Sequence, residues 1–330
     1  MEACLIVTYR CNARCRMCHT WRHPSRRSEE FSPELIRKLP DGLRFINITG
    51  GEPFLRTDLD RIIEEALAKT RRLVVSTNGY FTDRITELAS RFGNRIGIRV
   101  SLEGLAAAND ELRGIKQGFE RGLSTLKAVR KAGLTDVGFG ITLSDRNARD
   151  MMDLYRLAKS LDMEFATAVT HNSYYFHKHD NVFKTPEVVA GELERLARDL
   201  LASSRPKHWF RGYFNMGLAN KVRGGPRPLP CQAGTDLFFL DPFGNIMPCN
   251  GSETPMIMGN LHDRSFDEIW NGPEAAAVRE RVRCCDRGCW MIGSAAPAMK
   301  KRIWTPALWV LKNKLKVWRH GDNARLDPVG

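Results

Sequence analysis

Along residues 4 to 203, short apolar runs alternate with longer stretches that are apolar on one helical face only. Cys4-Leu5-Ile6-Val7-Thr8 is too short a run for a helix and reads as a buried strand. Ser32-Pro33-Glu34 then supplies an N-cap and a proline at the first helical position, with Phe31 placed to staple the entry and Pro40-Asp41-Gly42 to end the helix. The next strand covers 43–48. The pattern continues with helices over 58–68, 83–91, 118–132 and 148–160, set between strands over 73–77, 96–101, 137–143 and 164–170. A last helix over 186–203 places Val188, Val189, Leu193, Leu196 and Leu200 at helical spacing. Six strand-then-helix units predict an α/β fold with a parallel sheet and right-handed crossovers.

In barrels and open parallel sheets alike, chemistry sits at the C-terminal ends of the strands. Here the first strand leads into Cys11, Cys15 and Cys18, and the second into Thr49-Gly50-Gly51-Glu52-Pro53. The third ends in Ser76-Thr77-Asn78-Gly79 and the fourth in Ser101-Leu102-Glu103-Gly104, so polar and glycine-rich residues gather at one end. Three thiols within eight residues point to one shared metal centre rather than to three separate apolar pockets. Structural zinc takes four protein ligands and a 4Fe-4S cluster is normally held by four thiolates, so three close cysteines leave one position open. A zinc site completed by His19 or His23 is the alternative.

The Cys-x3-Cys-x2-Cys spacing of Cys11, Cys15 and Cys18 resembles the signature of the radical S-adenosylmethionine (SAM) enzymes. That resemblance implies a partial (β/α)6 barrel and a 4Fe-4S cluster whose open iron chelates the amino and carboxylate groups of SAM. It also implies an electron from a flavodoxin- or ferredoxin-like donor, cleavage of SAM to a 5′-deoxyadenosyl radical, and abstraction of a substrate hydrogen. Gly50, Gly51, Glu52 and Pro53 match the family's segment beside the SAM methionine moiety, where glycines permit close backbone approach and a carboxylate can accept from an ammonium. Ser76, Asn78, Ser101 and Glu103 stand where the family contacts the methionine carboxylate or ribose, although serine and asparagine at strand ends serve equally as helix caps. Glu103 replaces an expected aspartate. Arg113 resembles an arginine used on the SAM carboxylate, the alternative being a solvated surface arginine, and the resemblance places Thr142, ending the fifth strand, toward the adenine end, the alternative being an ordinary strand residue. The loop after the sixth strand leaves a strand end like the other site loops, which makes His171, Asn172 and Tyr174 candidates for substrate contact.

Residues 204–230 change in composition, with Gly224, Gly225, Pro226, Pro228 and Pro230, and read as a linker. Beyond them, 236–240 and 245–247 form a hairpin turned by Asp241-Pro242-Phe243-Gly244. The spacing of Cys231, Gly244 and Cys249 resembles the opening of SPASM and twitch extensions, which bind auxiliary 4Fe-4S clusters. A full SPASM region uses seven ligands for two clusters, whereas this one holds five cysteines and matches the twitch form with a single cluster. The implied ligands are Cys231, Cys249, Cys285 and Cys289, with Cys284 the alternative to Cys285. A thiol left over near the site could return a hydrogen to a substrate radical, so Cys284 is a candidate donor, while Cys4 reads as buried and inert. The organisation is thus a SAM core over 1–203, a linker over 204–230, an auxiliary-cluster region over 231–292 and a tail over 293–330.

With 330 residues and 42% hydrophobic content the chain can bury a sizeable core. Nine cysteines without a secretory signal argue for a reducing cytoplasm rather than a disulfide scaffold. A net charge of +13 points to an anionic partner. From Ala298 to His320 there are seven basic and no acidic residues, while Trp304, Leu308, Leu311, Leu315 and Trp318 recur every four and three. This amphipathic helix, with a basic opposite face, either packs on the core or lies on an anionic membrane surface, the reading preferred here. Nucleic acid is disfavoured because no base-reading motif accompanies the charge. Peptide-modifying members of the resembled family commonly carry an N-terminal extension, and only ten residues precede Cys11. The substrate expectation is therefore a sugar, lipid-linked at the membrane, with a ribosomal peptide as the alternative. A non-catalytic zinc or iron–sulfur protein is the alternative of another class.

Overall fold

The computed structural model describes residues 1–329. All six expected strands form: β1 (Glu2–Ile6), β2 (Phe45–Thr49), β3 (Leu73–Thr77), β4 (Ile96–Ser101), β5 (Val137–Leu143) and β6 (Glu164–Val169). They pair in parallel in chain order, β1 to β2 through to β5 with β6. A monotonic order with crossovers of one hand stacks every crossover helix on the same side of the sheet. The helices are α1 (Leu59–Lys69), α2 (Thr82–Phe92), α3 (Ala106–Arg113), α4 (Gly118–Lys131) and α5 (Met151–Ser160). The sheet stays open, as in a partial barrel, and its other side faces a cavity.

Side-chain alternation matches that arrangement. Ile46 and Ile48, Val75, Ile98 and Val100, and Phe139 and Ile141 belong to the helix-side core. Their neighbours Asn47, Ser76, Arg99, Ser101 and Thr142 line the cavity. The first expected helix is corrected: Pro33–Lys38 is six residues of 3-10 helix. Leu39 precedes Pro40 and is extended, with ψ 153° at the Ser32 entry and 152° at Leu39, so there is room for little more than one turn. The short α3 has no counterpart in the sequence reading.

The 204–230 linker is also corrected. Residues Pro206–Val222 form a helix, α7, which packs against α6 (Pro186–Ala202). Gly212 through Ala219 are all buried, so α7 has no polar stripe to set a period and its composition resembles a core segment. The expected hairpin forms between β7 (Leu237–Leu240) and β8 (Asn245–Met247), where the Asp241 carboxylate accepts from Phe243 N and Asn245 N, each at 2.9 Å. β7 pairs in parallel with β1, and with β9 (Gly259–Asn260) the second cysteine region extends one nine-stranded sheet.

The helices α8 (Phe266–Asn271) and α9 (Pro273–Arg283) follow, then α10 (Ile292–Lys301) and α11 (Trp304–His320). The face of α11 opposite its tryptophan stripe is not basic, as the sequence suggested. It buries Pro306, Trp309, Val310, Asn313 and Val317, and the helix rests on α6 and α7. No helix among the described residues is long and apolar enough to cross a membrane.

Candidate active site

The loop that leaves β1 is clamped on several sides. Gly51 N donates to Thr8 O at 2.7 Å and Glu52 N to Arg10 O at 2.8 Å. A Cβ on Gly50, whose φ is +156°, would meet Thr8 O at 2.4 Å, and one on Gly51 would meet Arg10 O at 2.3 Å. The two glycines are therefore required by the approach of two protein backbones, whatever else they approach. From another side, the end of α3 accepts Arg14 N on Arg113 O at 3.0 Å and Arg16 N on Leu112 O at 2.8 Å. Asn78 Nδ2 donates to Asn12 Oδ1 at 2.7 Å, and the loop after β6 accepts His19 N on Phe176 O at 2.7 Å. Tyr175 closes the ring by donating its hydroxyl to Gly50 O at 3.0 Å.

This cradle holds Cys11, Cys15 and Cys18 on the wall of a cavity of about 820 Å3. Burial pushes the Cys11 thiol up to about 12 and Cys15 up to about 11, and raises Cys18 as well. Free thiols here stay protonated, and a metal must displace those protons to bind. The Arg113 guanidinium lies near Cys15 and Cys11, where it offsets thiolate charge, and its Nε has no hydrogen-bond partner. Three thiols on one wall, a neighbouring cation and an open cavity beyond them fit a three-cysteine iron–sulfur cluster with a ligand at its fourth iron.

The sequence candidates divide into two groups. Gly50, Gly51, Ser76, Asn78, Ser101, Glu103, Arg113 and Thr142 line the cavity. Glu52 and Pro53 do not: the buried Glu52 carboxylate accepts from Asn78 N at 2.7 Å, Thr77 Oγ1 at 2.8 Å and Phe54 N at 3.1 Å. Burial raises the Glu52 pKa against those three donors. In the structure it ties the end of β2 to the end of β3. Glu103 carries a comparable load, bonding Arg113 Nη1 at 2.8 Å and Thr142 N at 2.6 Å. Its longer side chain thus reaches a second element rather than merely shifting a ligand contact.

Of the three loop candidates after β6, only His171 lines the cavity. Burial lowers its pKa to about 4 and its Nε2 has no partner. Asn172 exchanges hydrogen bonds with Asn181 and so closes its own loop, and the Tyr174 hydroxyl meets Met247 Sδ at 2.9 Å. The polar groups of both side chains are engaged within the protein, and neither lines the cavity.

Cys231, Cys249, Cys285 and Cys289 line the same cavity from the other side. Cys284 does not; its exposed thiol lies 3.7 Å from Glu280 Oε1. Cys4, by contrast, lines the cavity floor with a thiol raised by burial to about 12. The cavity wall beside the second cysteine set also carries Lys221 of α7, Arg227 and Arg287, none of them singled out by the sequence. Arg287 lies between Cys285 and Cys289 and was findable by that position; Lys221 was hidden in the supposed linker.

Comparison with known proteins agrees with this geometry. Residues 5–158 match the model of the radical SAM superfamily, and residues 231–290 match the iron–sulfur cluster-binding domain SPASM. The chain belongs to the radical SAM superfamily, in its SPASM/twitch group. It is an enzyme that takes SAM, a 4Fe-4S cluster and auxiliary iron–sulfur. It is 27% identical over 295 residues to an AdoMet-dependent heme synthase of Methanosarcina barkeri, covering 81% of each chain. It is 26% identical to the mycofactocin maturase MftC of Mycolicibacterium smegmatis, covering 81% of this chain and 69% of that one. Among solved structures, native anSMEcpe with bound AdoMet and Cp18Cys peptide superposes with a TM-score of 0.65 at 15% identity, over 96% of this chain and 99% of that one, a likeness of fold.

Proposed function

We propose that this chain abstracts a hydrogen atom from a carbon of an anionic substrate held between its two cysteine sets. The observation that carries the reading is the charge of the one cavity both sets line. Its carboxylates are engaged: Glu103 pairs with Arg113 and Glu2 with Lys300, each at 2.8 Å. Among the described residues no carboxylate pairs with Lys221 or Arg227, and the partner of Arg287 is Glu253, whose side chain is 78% exposed and so screened by water. An anion entering this space gains from Lys221 and Arg287 and displaces no tight ion pair, while Arg227, bonded to Leu229 O, Cys289 O and Ser294 Oγ, adds its charge from the wall.

In this reading Cys11, Cys15 and Cys18 hold the SAM cluster, and Cys231, Cys249, Cys285 and Cys289 hold an auxiliary one. The bound cofactors supply reductive SAM cleavage and a 5′-deoxyadenosyl radical as the hydrogen acceptor. Gly50, Gly51, Ser76, Asn78, Ser101 and Arg113 line the space where SAM is oriented, and Lys221 and Arg287 orient the substrate anion. A flavodoxin- or ferredoxin-like protein delivers the electron, in the cytoplasm. Whether dehydrogenation, epimerisation or bond formation follows is decided after the hydrogen leaves.

The side-chain carboxylates of a haem precursor suit these cations, and the similarity to heme synthases favours that substrate class. The phosphates of a lipid-linked sugar have the same chemistry. A peptide is the second reading, favoured by similarity to the mycofactocin maturase. The test is anaerobic reconstitution followed by SAM cleavage with each substrate class. About eight iron and eight sulfide per chain are expected from two clusters, with 5′-deoxyadenosine formation stimulated by the carboxylated tetrapyrrole and the stimulation lost in Lys221→Met. Stoichiometric zinc without cleavage would overturn the enzyme reading, and stimulation by an uncharged peptide alone would overturn the anionic one.

A further inference from the structure

The helix α11 is apolar on two opposite faces. One is spent on α6 and α7, where Trp309 also donates its indole N–H to Asp327 O at 3.0 Å. The other carries Trp304, Leu308, Leu311, Leu315 and Trp318, whose exposures are 77%, 64%, 62%, 47% and 81%. Intervals of four and three keep these side chains in a single line, about 21 Å long at 1.5 Å rise per residue. An aligned stripe of this size is far from the single scattered apolar residues that any surface tolerates.

The charges around the stripe decide what covers it. Lys314 is spent on the carbonyls of Leu201 and Ser203, and Lys312 and Lys316 share Asp327. Arg302 and Arg319, exposed just beyond Trp304 and Trp318, have no ion pair among the described residues. The line also has the spacing of a coiled-coil seam. In that register the flanking positions nearest a partner copy are Lys312, Lys314 and Arg319, so two copies would oppose like charges along the seam. Both ends bear a tryptophan, the residue that settles at a membrane's headgroup level, and each tryptophan has an unpaired arginine beside it.

We propose that this face of α11 lies in the surface of an anionic lipid bilayer and holds the protein there peripherally. The stripe enters the headgroup boundary, the arginines meet lipid phosphates, and the packed face fixes the helix parallel to the surface. The inference is independent of the substrate reading.

The test uses the full-length, cluster-loaded protein and sedimentation with vesicles of phosphatidylcholine, with and without phosphatidylglycerol. Binding is expected to the anionic vesicles and to weaken as salt rises. Trp304→Ser with Trp318→Ser is expected to reduce it at least tenfold, and Arg302→Gln with Arg319→Gln to reduce it about thirtyfold, near three quarters of a decade per surface cation. These side chains lie in solvent, so uncoupled SAM cleavage should be unchanged and reports that the variants are folded. Undiminished binding by the tryptophan variant, or no binding at all, overturns the proposal. A lipid-free dimer that the same substitutions dissociate overturns it in favour of an interface between copies.

Discussion

The two cysteine sets face one cavity but are held differently. Around Cys11, Cys15 and Cys18, backbone bonds from the ends of β2, α3 and the loop after β6 fix the loop whether or not metal is bound. Around the second set the chain from Cys285 to Met291 lacks regular structure, and the Cys285 thiol is exposed. Its anchors are side-chain contacts: Arg227 donates to Cys289 O, Arg287 Nη2 donates to Asn172 O at 2.8 Å, and Trp290 is fully buried with its indole on Phe214 O at 2.9 Å. We infer that the first site is preorganised by protein contacts, whereas the second draws part of its order from a bound metal. A preformed set of ligands loses little entropy on binding, while a loop ordered by metal makes binding energy part of local folding energy.

The comparison is broken or upheld most sharply by removing ligands one set at a time. Replacing Cys11, Cys15 and Cys18 by alanine should abolish SAM cleavage, remove about half the iron and leave protease resistance intact. Replacing Cys231, Cys249 and Cys289 should also remove about half the iron, yet open the 284–291 segment to cleavage by protease. Equal protease sensitivity in the two variants would show that the first site is not preorganised. Retained SAM cleavage in the first variant would refute its ligand assignment.

A smaller effect sharpens the account of the first cradle. Arg113→Met would leave Glu103, with a side chain only 3% exposed, as an unpaired buried carboxylate. Breaking such a pair costs about 3–5 kcal/mol, and denaturant unfolding of the metal-free protein would measure it. The double variant with Glu103→Gln should recover part of that loss, since Gln can still bond Thr142 N; no recovery would mean that the ion pair is not what Arg113 contributes.

How much of this was written plainly in the sequence follows the same division. The β1 loop was legible because its ligands are consecutive, and strand ends such as Gly50-Gly51 and Ser76-Asn78 are local signals. Partnerships were not legible. Nothing in the residue types says that Glu52 spends its carboxylate on Thr77 and Asn78, or that the Tyr174 hydroxyl turns to Met247, because those contacts join segments far apart in sequence. Nor could Lys221 be found, since α7 is buried on so many sides that helical periodicity fades. The cavity side of the sheet was encoded in pairs such as Asn47 between Ile46 and Ile48, a strand alternation that short apolar runs obscure.

The smallest expected effect concerns His171, which lies on the loop that touches both regions. Burial lowers its pKa from 6.5 to about 4, so the folded protein holds the imidazole neutral where the unfolded chain would protonate it. Below pH 6.5 the unfolded state binds the extra proton, and stability must fall as the pH drops towards 4. By pH 5 the loss attributable to this group is roughly 2 kcal/mol, at 1.36 kcal/mol per pKa unit. Metal-free protein unfolded by urea at pH 7 and pH 5 would show it as a difference between wild type and His171→Gln, whose glutamine does not titrate. The variant should lose less stability over that interval; parallel pH curves would mean that water reaches His171, and that the cavity wall between the two cysteine sets is looser than its burial implies.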